Sequence, residues 1–127
     1  RLMETRTREA HVTDFNEAAE NKTFLNGGQI LQHAACFAEE VGELGAAIAE
    51  YLDEQNEETR GNLAKEWADA QVTLSNLAWF FEIDGAEAFR RVHTSNMSKL
   101  IDGKIIRRED GKVLKPETYE APDMSGL

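Results

Sequence analysis

With 127 residues, 41% of them hydrophobic and 30% charged, the chain is long enough to bury one core, too short for two, and too apolar for intrinsic disorder. Its 24 acidic residues against 14 basic ones leave a formal charge of −10, which repels nucleic acid and anionic membranes unless cations intervene. A single cysteine, Cys36, excludes an internal disulfide framework, and no apolar run reaches membrane-spanning length. These features predict one soluble, cytoplasmic domain over residues 1–127, with no signal-peptide-like segment in residues 1–13. The chain begins at Arg1 rather than methionine, so further residues are expected ahead of it.

In chain order, Val12, Phe15 and Ala19 are spaced for a short helix that Thr13 or Asp14 would cap. Asn26, Gly27 and Gly28 then interrupt the pattern. From Gln29 to about Tyr51 the apolar residues Ile30, Phe37, Val41, Leu44, Ile48 and Leu52 recur at helical spacing. The polar stretch 53–62 reads as a loop, since Gly61 weakens any helix through it. A second long helix follows, with Leu63, Trp67, Ala70, Leu74, Leu77 and Phe81 on one face. Asp84 and Glu87 have capping-box spacing and open a further helix to about Leu100, with Phe89, Val92, Asn96 and Leu100 on one face. Residues 104–114 include the β-branched Ile105, Ile106 and Val113 around Asp110-Gly111, a favoured hairpin turn, and predict a two-stranded ribbon before an extended tail. The expected fold is therefore all-α: an oligomeric bundle of about four helices with a small C-terminal β-hairpin, the hairpin and tail occupying residues 101–127.

The chemistry is concentrated in the acids. On a helical wheel Glu39, Glu40 and Glu43 share an arc of about 100°, apart from the Phe37, Val41, Leu44 and Ile48 stripe. Like charges three and four residues apart destabilise an isolated helix by about 0.2–0.5 kcal/mol per pair, so something is expected to offset the repulsion. The other side of the helix carries Ala38, Gly42, Gly45, Ala46 and Ala49, which permit close approach of another helix and predict a homo-oligomer. Glu66 and Asp69 repeat the i, i+3 pattern on the next helix, with Glu66 at the margin of an apolar stripe. Buried charges must be paired or must coordinate a metal. An acidic run is more often a solvated face, but two helices each placing acids beside core residues favour a cation site. Oxygen-only ligands suit magnesium, or manganese, over zinc or copper. A di-iron bundle is the nearest rival; it would carry Glu-x-x-His pairs, and none of His11, His33 or His93 has a glutamate three residues before it.

Glu39-Glu40-Val41-Gly42-Glu43, followed after 22 residues by Glu66-Trp67-Ala68-Asp69, resembles the all-α nucleoside triphosphate pyrophosphohydrolases, the MazG-like proteins and their phosphoribosyl-ATP pyrophosphohydrolase relatives. The resemblance extends through residues 92–100 and 109–115 to Tyr119 and Pro122-Asp123, covering roughly residues 29–123. It implies that Glu40, Glu43, Glu66 and Asp69 ligate magnesium, that Glu39 orients or deprotonates the attacking water, and that Asn96 and Lys99 contact the nucleotide. Lys115 and Tyr119 match family positions to which the residues themselves assign no role, either over the phosphates or on a surface tail. His93 reads as structural. The implied reaction converts a (deoxy)nucleoside triphosphate to the monophosphate and pyrophosphate, in a homodimer or homotetramer that binds neither nucleic acid nor membrane. Two alternatives stand beside it: a phosphoribosyl-ATP pyrophosphohydrolase with the same ligands, and a non-catalytic acidic helical oligomer that binds a divalent ion. Asn96 carries an independent expectation, because an amide left unpaired among Phe89, Val92 and Leu100 would cost about 1–3 kcal/mol and needs a partner.

Overall fold

A computed structural model describes residues 7–23 and 26–127; Arg1, and with it the expectation about the chain's start, lies outside the described residues. The described residues form four α-helices and no strand, and the chain divides into two compact units, Arg1–Ile83 and Asp84–Leu127.

The first unit opens with α1, Arg8–Ala18. Its cap is Thr7, whose hydroxyl accepts from the Ala10 amide at 3.1 Å, rather than Thr13 or Asp14. The residues between, Arg8, Glu9 and Ala10, are good helix formers, and they carry the helix back beyond its apolar positions. Glu20 at φ 56° ends the segment. Asn16 is 1% exposed and fully satisfied: its amide donates to Val12 O and Asn76 Oδ1, both at 2.9 Å, and its oxygen accepts from Asn21 at 2.8 Å. Because Asn76 belongs to α3, this network pins α1 to that helix.

Helix α2, Gly27–Asp53, starts two residues earlier than its apolar pattern. Asn26 and Gln29 form a reciprocal capping box, with both bonds 3.0 Å, and this holds the two glycines in helical geometry. Helix α3, Glu57–Phe80, begins inside the segment read as a loop, so the connection shrinks to residues 54–56. The Asn56 side-chain oxygen accepts from the Thr59 amide at 2.9 Å, the Asn56 amide donates to the Thr59 hydroxyl at 3.2 Å, and Glu57 and Glu58 sit in the first turn. A cap contributes about 1 kcal/mol and each first-turn acid about 0.3–1 kcal/mol, together more than the roughly 1 kcal/mol that Gly61 costs. So short a connection folds α3 back along α2, and α1 packs on α3.

Burial in this unit is thin. Among the described residues Val12, Ala47, Ala70 and Phe80 are its buried apolar ones, with the His33 ring stacked on Phe80 at 4.0 Å between centroids. Val41, Ile48 and Leu52 stay exposed while Phe37 and Leu44 of the same predicted stripe are half-buried, and Trp67, Leu74 and Phe81 of α3 are exposed as well.

In the second unit α4 spans Gly85–Met97, three residues short of Leu100. Asp84 accepts from the Glu87 amide at 3.0 Å as an N-cap. The Glu87 carboxylate turns along the helix to Arg90 at 2.6 Å and Arg91 at 3.0 Å. The expected ribbon over residues 104–114 is reduced to single bridges, Ile101 with Lys104 and Arg107 with Val113. Its turn survives: Gly111 has φ 86°, and Asp110 accepts from Arg108 at 2.6 Å and from the Lys112 amide. A two-stranded ribbon is marginal without a surface to pack on, and Ile105, Ile106 and Leu114 are exposed. The tail is anchored to α4: Arg91 donates to Asp123 O at 2.9 Å and Ser125 O at 2.7 Å, and Ser95 donates to Glu120 O at 2.6 Å.

Candidate metal centre

The antiparallel course of α2 and α3 sets Glu40 and Glu43, one turn apart, opposite Glu66. One carboxylate oxygen from each of the three lies within 4.8 Å of the others. Glu40 and Glu66 are half-buried and Glu43 is exposed, so the cluster forms a shallow cup with two inner acids and one at the rim. Among the described residues it is the one group of three or more acidic, histidine or cysteine side chains close enough to hold a metal ion.

Its electrostatics are those of crowded anions. The Glu43 carboxyl is held above the usual 4.5 of a glutamate, first by the charge of Glu40, then by that of Glu66 and by Glu66's hydrogen-bonding approach, with Lys65 opposing. Two oxygens, Glu40 Oε2 and Glu66 Oε2, are buried and have no hydrogen-bond donor. A buried acceptor left without a partner costs about 1–3 kcal/mol, more when charged, and a cation is one group that could supply that partner. The donors are all carboxylate oxygens, a set that fits a hard divalent ion such as magnesium.

The remaining expected ligand, Asp69, stands outside this group. It accepts a 2.7 Å bond from Lys65, which also reaches Glu66 at 3.3 Å. Lys65 is thus the protein's own cation beside the cluster, with its pKa raised chiefly by the Asp69 hydrogen bond. The sequence reading passed over it, although its i, i+4 spacing to Asp69 was a visible signal. Glu39 is exposed on α2 and is not one of the three clustered acids.

The second unit holds the other expected residues. Asn96 is exposed rather than enclosed by Phe89, Val92 and Leu100; the 70% exposure of Phe89 shows how open that face is. The partner that Asn96 needed is Lys99, whose ammonium donates to its oxygen at 2.9 Å. Lys99 and Lys115 both stand over the Tyr119 ring, at 5.8 and 4.9 Å from its centroid. His93 is exposed on α4.

Comparison with family models finds none that matches the chain, and comparison with curated proteins likewise finds no match. No helix among the described residues is long and apolar enough to cross a membrane.

Proposed function

We propose that the chain is a magnesium-dependent nucleoside triphosphate pyrophosphohydrolase, cytoplasmic and homo-oligomeric as a dimer or tetramer, converting a (deoxy)nucleoside triphosphate to its monophosphate and pyrophosphate. The observation that carries this reading is the convergence of Glu40, Glu43 and Glu66 with two buried oxygens that lack donors. The motif resemblance supplies the reaction; the cluster supplies a physical reason for a cation.

Glu40, Glu43 and Glu66 would hold the ion, and Asp69 would join them once released from Lys65. Bound there, magnesium would reconcile the triphosphate with an acidic cup and neutralise charge developing on the departing pyrophosphate. Glu39, exposed beside Glu40, orients a water and accepts its proton as the water oxygen bonds to the α phosphorus. The bond from that phosphorus to the oxygen bridging to the β phosphate breaks, and pyrophosphate leaves with its electron pair. Asn96 and Lys99 belong to the second unit, and their assignment to the nucleotide rests on the motif resemblance alone.

The test is incubation of the purified chain with each common triphosphate, and with phosphoribosyl-ATP, with magnesium and with chelator. Monophosphate and pyrophosphate formed only with the metal are expected. Release of orthophosphate, or no turnover of any nucleotide, would overturn the proposal; the preferred nucleotide separates the two pyrophosphohydrolase activities.

A further inference from the structure

The two carboxylates that face Lys65 are both ligands in the proposed function. The ammonium donates to Asp69 at 2.7 Å and to Glu66 Oε1 at 3.3 Å, while Glu66 Oε2 is buried without a donor. The lysine side chain is 65% exposed, so among the described interactions these two bonds are what hold it, and its flexible stem is otherwise free to turn. A divalent ion on Glu66 and Asp69 would therefore evict the ammonium: oxygens committed to the ion no longer accept from it, and the ion repels it by charge.

The evicted charge stays beside the cup. Helix α2 has no lysine or arginine, and Arg60, the other basic residue of α3, lies about 180° round the helix from Asp69, whereas Lys65 lies about 40° from it. Lys65 is thus the cation that this helix pair carries on the side of the cluster. In-line displacement sets the attacking and leaving oxygens on opposite sides of the phosphorus. Glu39, to which the proposed function gives the water, stands on α2, and Lys65 stands on the facing helix, so the leaving side is the lysine's.

We infer that Lys65 has two stations: it rests on Asp69 and Glu66 in the metal-free protein, and it passes to the oxygens of the departing pyrophosphate when those carboxylates take the metal. The inference rests on the proposed function and goes beyond the motif resemblance, which gives Lys65 no role. At the first station the ammonium offsets crowded acids before metal arrives. At the second it places a positive charge where negative charge grows as the bond from the α phosphorus to its bridging oxygen breaks. No proton moves; the contribution is a charge-assisted hydrogen bond.

Calorimetric titration of the full chain with inorganic pyrophosphate, a stand-in for the leaving group, tests this with and without saturating manganese. Manganese-loaded wild type is expected to bind pyrophosphate, and metal-free wild type is not, because there the ammonium is still held by its acids. Lys65→Met should weaken binding to the loaded protein tenfold or more, about 1.4 kcal/mol, while its manganese affinity does not fall. Lys65→Arg, which keeps the charge, should retain most of the pyrophosphate affinity. Circular dichroism verifies that each variant keeps its helices. A side chain that merely braced the cup would lose both affinities together, and that result would overturn the inference. So would equal pyrophosphate affinity in wild type and Lys65→Met, or Lys65-dependent binding to the metal-free protein. Turnover of a nucleotide with an unchanged pyrophosphate titration removes Lys65 from a reaction that stands. Absence of turnover with a Lys65-dependent titration removes the reaction and keeps the lysine at a phosphate site, so the two failures are distinguishable.

Discussion

The Lys65 ammonium lies 2.7 Å from the Asp69 carboxylate, one turn along α3 and beside the three-glutamate cluster. The lysine therefore competes with any divalent ion for Asp69 and opposes that ion by its own charge. Replacing it, Lys65→Met, is expected to tighten manganese binding about twofold, the small effect of losing one exposed, solvent-screened i, i+4 pair. In chelator the same variant should melt at a lower temperature, because the acids lose their only intramolecular counter-charge among the described interactions. Calorimetric titration and thermal melts measure the two effects; weaker metal binding in Lys65→Met would mean that the lysine supports the site.

Glu43 gives the cluster a pH signature. Its pKa is raised in the folded chain, chiefly by Glu40, so the fold holds a proton there that the unfolded chain releases near 4.5. The associated stability is present below 4.5 and is lost as pH rises through the folded value. In chelator, wild type is expected to lose stability across that window, while Glu43→Gln, without the charge, should lose less. Divalent ions should reverse the wild-type loss, because they replace the proton, and leave Glu43→Gln largely unaffected. Melts from pH 4 to 7 with and without manganese test this, and parallel curves for the two proteins would refute it.

How much of this was legible in the sequence follows from the kind of interaction involved. The acids at 39–43 and 66–69 could be placed on two helices because charge and the 3.6-residue period are local properties, and three of those acids do converge. Helix starts were misplaced for a local reason as well: polar caps at Thr7, Asn26 and Asn56 were outweighed in the reading by glycines and acids nearby. The side on which apolar residues are covered was not legible. Val41 and Leu44 have equal claims to burial by periodicity, and only the direction of α3 decides between them. The Asn16 network was invisible for the same reason, since its two helices are joined across 60 residues.

That network makes Asn16→Leu informative. The substitution leaves Asn76 Oδ1 and the Asn21 amide without their present partner, and it removes the bond from α1 to α3. A loss of about 1–3 kcal/mol is expected in urea unfolding, with amide exchange in α1 rising more than in α2. Uniform exchange throughout the first unit would show that α1 is held by Val12 packing instead.

In the second unit Glu87 is drawn down to about 2, by hydrogen bonds from Arg90 first and Arg91 second. A lowered acid contributes stability above its unfolded value of 4.5, and that contribution is lost as pH falls toward 2. Glu87→Gln should therefore be less stable than wild type at pH 7 and converge with it at pH 2. Arg91→Ala goes further, because it also frees the carbonyls of Asp123 and Ser125. Limited proteolysis is expected to clip residues 116–127 faster in Arg91→Ala than in Glu87→Gln, whereas equal rates would mean that the tail is held without Arg91, by Ser95 on Glu120 O and by Ser98, which accepts from the Glu120 amide at 2.8 Å and from the Thr118 hydroxyl at 3.0 Å.

The sharpest separation of roles lies between Glu39 and Glu66, which the proposed function treats differently. Glu66 contributes a buried oxygen to the cup, so Glu66→Gln removes half of the donorless pair and should weaken manganese binding tenfold or more, a loss of at least about 1.4 kcal/mol. Turnover would fall with it and recover partly at high metal concentration. Glu39 is exposed and outside the cluster, so Glu39→Gln should bind manganese as wild type does yet lose about 10²–10⁴ in kcat, the usual contribution of a general base. Raising the metal concentration should not restore it. If Glu39→Gln instead weakened metal binding and was rescued by added magnesium, Glu39 would be a ligand, and the proton acceptor would have to be sought elsewhere.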